Sequence, residues 1–217
     1  MDRKFRRVLL LATVIAIAAA GAAPRSTQSQ PAPTAAPKES LVFVTDDSGN
    51  AARFRVREQL VGFDLPNDAI GTTPAVSGEL VLRANGSVSP LSKFTVDIRR
   101  LKSDEDKRDR YVQTRILDSA KYPTVAFLIT HINGLKLPLA TSGSVHFTMR
   151  GNLTVHGSTK PTNWKVTANL SPAEVTGTAS TVFTFEDFGL LRPKVPIVLS
   201  VQDTIRLEYD FRLVRKL

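Results

Sequence analysis

A chain of 217 residues with 42% hydrophobic content can bury a core of its own, as one large β domain or two small ones. It has no cysteine, which excludes disulfides, thiolate metal sites and cysteine nucleophiles. Its net charge of +9 comes from 29 basic and 20 acidic residues scattered along the chain. A nucleic-acid groove gathers basic residues and interleaves aromatics, so no nucleic-acid partner is expected and a solvated basic surface is the better reading.

Arg3, Lys4, Arg6 and Arg7 precede the apolar run Val8–Ala20 and the small residues Gly21-Ala22-Ala23. That is the layout of a secretory signal, placed here over residues 1–23. The apolar run is shorter than the roughly 20 residues a spanning helix needs, so a cleaved signal fits better than a retained anchor. The protein is expected to be exported, to the periplasm or beyond the cell. Residues 24–39 are rich in Pro, Ala, Ser, Thr and Gln and hold no large apolar side chain, the composition of a disordered linker. The folded domain is expected over residues 40–217.

From there the chain alternates with period two. Leu41–Thr45 is a short run closed by the turn composition Asp46–Asn50. In Ala52–Glu58, Phe54 and Val56 share one face against Arg53, Arg55 and Arg57. Gly62–Pro74 reads as a loop, and Val76, Gly78, Leu80 and Leu82 form the next inward row. Asn85-Gly86 marks a tight turn, since both tolerate positive φ, and Phe94, Val96 and Ile98 follow as a further row.

A single convincing helix interrupts the alternation, expected over Asp104–Leu117. Ser103 is placed as its N-cap, with Asp104, Glu105 and Asp106 in the first turn, where free N–H groups favour negative charge. Tyr111, Val112, Ile116 and Leu117 supply an apolar stripe, and Tyr122-Pro123 stops the helix.

Val125–Ile132 is apolar on both faces, and Asn133–Gly143 reads as a second loop. Val145, Phe147, Met149, Gly151, Leu153 and Val155 alternate against His146, Thr148, Arg150, Asn152, Thr154 and His156 without a break. A glycine midway through so long a run points to a bent barrel strand. After a turn over Gly157–Thr162 come Trp164, Val166, Ala168 and Leu170, then Val175, Gly177, Ala179, Phe183 and Phe185. Ile205, Leu207, Tyr209, Phe211 and Leu213 form the last row. The class is therefore all-β: an antiparallel barrel or sandwich of about eight strands with one short α-helix. A final strand this regular fits closure better than an exposed edge. The small residues Gly78, Gly151, Gly177 and Ala179 on inward rows are expected to leave room inside. Phe127, Phe147, Met149, Trp164, Phe183, Phe185, Tyr209 and Phe211 are the candidate lining, although alternation alone does not separate a lined cavity from a filled core.

Several stretches taken in order carry a family resemblance. They are Phe54-Arg55-Val56, Thr73–Gly78, Phe94–Asp97, Arg108-Asp109, Leu117 through Lys121-Tyr122-Pro123 to Phe127, Gly151–Gly157, Thr159-Lys160-Pro161 and Asp187-Phe188-Gly189. Together they resemble the YceI-like family of exported polyisoprenoid-binding proteins, over roughly Ser40 to Leu213. The resemblance implies a lipocalin-like antiparallel barrel around a long apolar pocket for an isoprenoid-type lipid or quinone tail. It also favours the lining reading of the eight side chains. Two departures accompany it. Phe185-Glu186 stand where the family pattern has a basic residue, and the loops Gly62–Pro74 and Asn133–Gly143 are longer.

No enzyme is expected, because the chain holds no nucleophile elbow, phosphate loop or His-Glu-x-x-His pattern. His146 and His156, ten residues apart on one extended strand, would lie about 33 Å apart, so neither a metal nor another cofactor is expected. Glu105/Asp106 and Glu186/Asp187 read as solvated or ion-paired acids, and Arg108-Asp109 as a charge pair locking the helix to the barrel rim. Peripheral contact with an anionic membrane and a homodimer stay open. The rival reading is a cell-envelope structural or interaction module with a filled barrel and a basic surface.

Overall fold

A computed structural model describes residues 40–216; the signal expected over 1–23 and the linker over 24–39 lie outside the described residues. Ten strands follow in order: β1 (Leu41–Thr45), β2 (Ala51–Leu60), β3 (Asn67–Thr73), β4 (Val76–Leu82), β5 (Lys93–Asp97), β6 (Thr124–Asn133), β7 (Gly143–Val155), β8 (Ser158–Leu170), β9 (Glu174–Thr184) and β10 (Val198–Lys216). Neighbours pair antiparallel in the order β1-β4-β5-β6-β7-β8-β9-β10, and β1 pairs again with β10, which closes an eight-stranded barrel. The lower part of β10 pairs with β2 and β2 with β3, so that hairpin continues the wall beyond β1 and β4. The edge left over is β3, bridged at Thr72 to Lys102, and the final strand is the longest, at 19 residues.

The wall breaks between β1 and β2, and Asn50 fills the break. Its Nδ2 donates to the carbonyl oxygens of Asp46 at 2.9 Å and Arg212 at 3.2 Å, and its Oδ1 accepts from Arg212 N–H. A buried amide with its donors and acceptor in use holds the bend without an unpaired polar group.

The structure revises the sequence reading at four places. β3 occupies much of the stretch read as the loop Gly62–Pro74; its buried residues are Ala69, Gly71 and Thr73, too small to give an alternating signal. The turn after β7 is not Gly157–Thr162 but the two residues His156-Gly157, with φ of 50° and 75°. Val155 pairs directly with Ser158 across it, the geometry of a two-residue hairpin with both central residues at positive φ. The ring of Tyr122 lies where a Cβ on Gly157 would fall. That contact joins the Lys121-Tyr122-Pro123 and Gly151–Gly157 stretches in space.

The helix is the third revision. Regular α-helix runs only over α1 (Asp106–Tyr111), and a π turn continues it over Val112–Ile116. Five-residue spacing explains the change: Tyr111 and Ile116, and Val112 and Leu117, share one face only if the turn widens to i→i+5, as the Leu117 N–H to Val112 O bond at 2.9 Å records. The cap is Glu105, whose carboxylate accepts from Lys107 N–H at 3.1 Å. Ser103 is engaged instead by Asp109, through both its N–H and its hydroxyl at 2.7 Å. Among the described residues no helix is long and apolar enough to cross a membrane.

The fourth concerns the inward glycines. A Cβ on Gly177 would fall 2.7 Å from the ring of Phe211, one on Gly151 2.7 Å from Phe127, and one on Gly78 2.8 Å from Phe94. At these three the Cβ would also strike a backbone carbonyl of the neighbouring strand, whereas at Gly71 it would meet only the Phe54 ring. Each glycine is a notch already filled by a phenylalanine ring from the neighbouring strand, so the free space inside is not at the glycines. The rings fit into the wall, and the lumen beside them stays open.

Candidate ligand cavity

The inward rows of the strands surround a cavity of about 890 Å³ that runs through the barrel. All eight aromatic and methionine side chains singled out from the sequence border it: Phe127 on β6, Phe147 and Met149 on β7, Trp164 on β8, Phe183 on β9, Phe185 just beyond it, and Tyr209 and Phe211 on β10. The structure brings them together through ring contacts. Phe127 meets Trp164 at 5.2 Å between centroids, and Tyr209 meets both Phe211 and Phe94 at 5.8 Å. Such pairs add about 0.5–1.5 kcal/mol each beyond area burial.

The polar tips of these rings are tied down. Tyr209 OH donates to Asn50 Oδ1 at 2.6 Å, and Trp164 Nε1–H donates to Thr162 Oγ1 at 3.1 Å. Burial pushes the Tyr209 phenol well above its ordinary pKa, so it stays protonated at neutral pH. The lumen therefore presents carbon, with its polar atoms spent within the wall.

At the end of the barrel that carries α1, charge reaches the cavity edge. Arg108 donates to Glu58 at 3.0 Å and also meets Asp104, tying the helix to β2. Arg108 and Asp109 thus do not pair with each other; Asp109 serves Ser103 and Lys102 instead. Burial opposes ionisation of Asp109, but the Ser103 hydroxyl and N–H, with Lys102 at 3.3 Å, hold its carboxyl below the usual carboxylate range. The other acids of interest are caps. Asp187 accepts from Thr184 N–H at 2.7 Å, which lowers its pKa, and Glu105 caps α1.

The histidines stand apart: His146 contacts Thr167 at 3.0 Å and His156 meets the edge of Tyr122 at 4.6 Å. Among the described residues no three His, Asp or Glu side chains converge as a metal site would require.

Sequence reasoning missed the lining from the other half of the wall. Phe43, Phe54 and Phe94 border the cavity, as do Tyr111 and Ile116 from the helical segment and Leu135 from the 134–142 loop. Phe54 and Phe94 were legible as inward residues, whereas Leu135 carries no periodic signal at all.

A closed barrel of eight antiparallel strands with a hollow apolar interior has room for one internal ligand. This chain belongs to the YceI-like family: the model of the YceI-like domain matches residues 43–213. A Pseudomonas putida UPF0312 protein is 31% identical over 111 residues, 47% of this chain and 54% of the relative, so the match spans about half the relative's length. Among solved structures, a polyisoprenoid-binding domain from Saccharophagus degradans aligns over 81% of this chain and 99% of its own, with TM-score 0.63 at 12% identity. Burkholderia cenocepacia BcnA aligns over 79% and 99%, with TM-score 0.57 at 17% identity. At these identities the two structures establish a shared fold.

Proposed function

We propose that the protein is an exported carrier that holds a polyisoprenoid-type lipid, such as a prenyl quinone, inside its barrel, and that it binds rather than catalyses. One observation carries the reading: the cavity of about 890 Å³ is lined by carbon, with the Tyr209 and Trp164 polar atoms bonded into the wall. A volume near the upper end for small-molecule sites, with few polar anchors, suits a long apolar chain. The polyisoprenoid-binding domain of the same fold supports that ligand class, and the basic and apolar layout of residues 1–23 supports export. The eight side chains from Phe127 to Phe211 are the proposed contacts. A hollow lumen also weighs against the rival filled-barrel interaction module.

Trp164 is the only tryptophan in the chain and borders the cavity, so it reports on occupancy. Organic extraction and mass spectrometry of the purified protein should yield a prenyl lipid. Added ubiquinone should quench Trp164 emission saturably. Val96→Phe, which enlarges a half-buried inward residue on the cavity wall, should weaken that binding at least tenfold while the protein stays folded. No extracted lipid together with no saturable quenching would overturn the carrier reading.

A further inference from the structure

At one end of the barrel the lining of the cavity becomes surface. The β2–β3 turn and the segment leading into β10 meet at this end through Val61 N–H to Ile197 O at 2.9 Å and the pairing of Leu60 with Val198. Phe63 is 65% exposed and Ile197 64%, yet both also border the cavity. Beside them Val61, Leu65 and Leu199 are exposed, Leu199 at a register break between Val198 and Ser200. Leu191, in the same 189–197 segment, is exposed as well. Among the described residues only Leu91 and Val182 are large apolar side chains exposed elsewhere, so such exposure concentrates at the mouth.

Exposed apolar residues grouped at one site mark a surface that something apolar covers. The opposite end differs: half-buried Leu135 and Leu139 pack against the core, and Leu91, in the connection between β4 and β5, is exposed there.

We propose that this rim is a bilayer-docking surface: the 61–65 turn and the start of β10 at 197–199 insert into the lipid interface and join the lumen to the membrane interior. The inference rests on the carrier reading above. Continuity selects the occupant. Phe63 and Ile197 make the patch and the lumen a single apolar surface, so a bilayer covering the patch can deliver or receive an apolar chain without exposing it to water. A protein cover would seal the same opening.

Charge sharpens the proposal. The rim carries exposed Lys107 and Lys194, but also exposed Asp64, Asp104, Glu105 and Asp106. Arg57, Arg108 and Arg192 are paired to Asp68, Glu58 and Asp203. With both signs present and these arginines paired, docking draws on insertion of apolar side chains rather than on attraction to anionic headgroups.

The absence of cysteine lets a single label report from a chosen place. The full chain carrying Leu65→Cys, labelled with an environment-sensitive dye, is mixed with phosphatidylcholine vesicles containing spin-labelled lipid. The same label at Ala84→Cys, on the turn after β4 at the opposite end, is the reference. Dye at position 65 should shift to the blue and be quenched by the lipid, dye at 84 should not, and 30% anionic lipid should change apparent affinity less than about twofold. Leu65→Asp with Leu199→Asp, neither bordering the cavity, should slow ubiquinone transfer between vesicles at least tenfold. Ubiquinone binding from detergent micelles should remain at the parent level.

An aqueous signal at 65 in the presence of vesicles would overturn the proposal. So would a blue shift without lipid that grows with protein concentration, which marks a second copy as the occupant. If neither parent nor variant binds ubiquinone from micelles, the carrier reading fails, whereas the dye at 65 decides docking by itself.

Discussion

Two halves of the same wall are built differently. From β6 to β10 the strands run 10, 13, 13, 11 and 19 residues, and the β7–β8 and β9–β10 ladders hold register without a break. From β1 to β5 every strand except β2 has seven residues or fewer, and the wall bends at Asn50. The segment from Ile98 to Pro123 crosses this half, held by the mutual Thr72–Lys102 backbone bonds and the Arg108–Glu58 pair. Long paired strands resist opening as a unit, whereas short elements joined by single bridges open locally at lower cost. One half therefore holds the shape, and the other is the half free to open locally.

The largest effect is expected in the long-stranded half. Trp164→Ala removes a buried ring that packs on Phe127 and should cost about 3–5 kcal/mol, read as a loss of denaturation midpoint. In the helical segment, Val112→Pro removes the N–H that bonds Arg108 O and Asp109 O and should cost about 3 kcal/mol. Native-state hydrogen exchange should then show α1 and its π turn unprotected while β7 and β8 keep their protection. Equal loss everywhere would dissolve the distinction between the halves.

Glycine substitutions sharpen it further. A Cβ on Gly177 would strike the Thr167 carbonyl oxygen of β8 first and would also meet Ala168 Cα at 2.9 Å and the Phe211 ring, so Gly177→Ala should cost about 3 kcal/mol or more. For this reason Gly177→Phe would test folding rather than cavity filling. At Gly71 the nearest atoms all belong to the Phe54 ring, which can turn aside, so Gly71→Ala should stay within about 1 kcal/mol of the parent.

The smallest effect is a pH dependence confined to the helical segment. Asp109 has its carboxyl pKa lowered on folding, so its contribution is complete above the ordinary value of 3.8 and is lost as pH falls through the folded value. Protection factors in α1, taken against the intrinsic exchange rate at each pH, should fall across that acidic window, and Asp109→Asn should flatten the change.

Legibility in the sequence followed the same division. The rows through Phe147, Met149, Trp164 and Phe211 declared themselves because large inward side chains alternate with Thr, Arg, Lys and Asn over long strands. β3 did not, since Ala69, Gly71 and Thr73 are inward residues chosen to be small, with Phe54 filling the space over Gly71. The π turn was hidden because its pattern has a five-residue period that a 3.6-residue template reads as a blurred α-helix. The mouth was least legible: Phe63 and Ile197 come to one rim only through pairing between residues more than a hundred positions apart.

The bore of the barrel is set from behind its own surface. Phe54 sits back because residue 71 has no side chain, so the calibre of the passage at that point depends on an atom that is missing. One methyl group placed there would displace the ring while every side chain bordering the cavity kept its identity. The calibre of the cavity can thus change without any change in the side chains that line it.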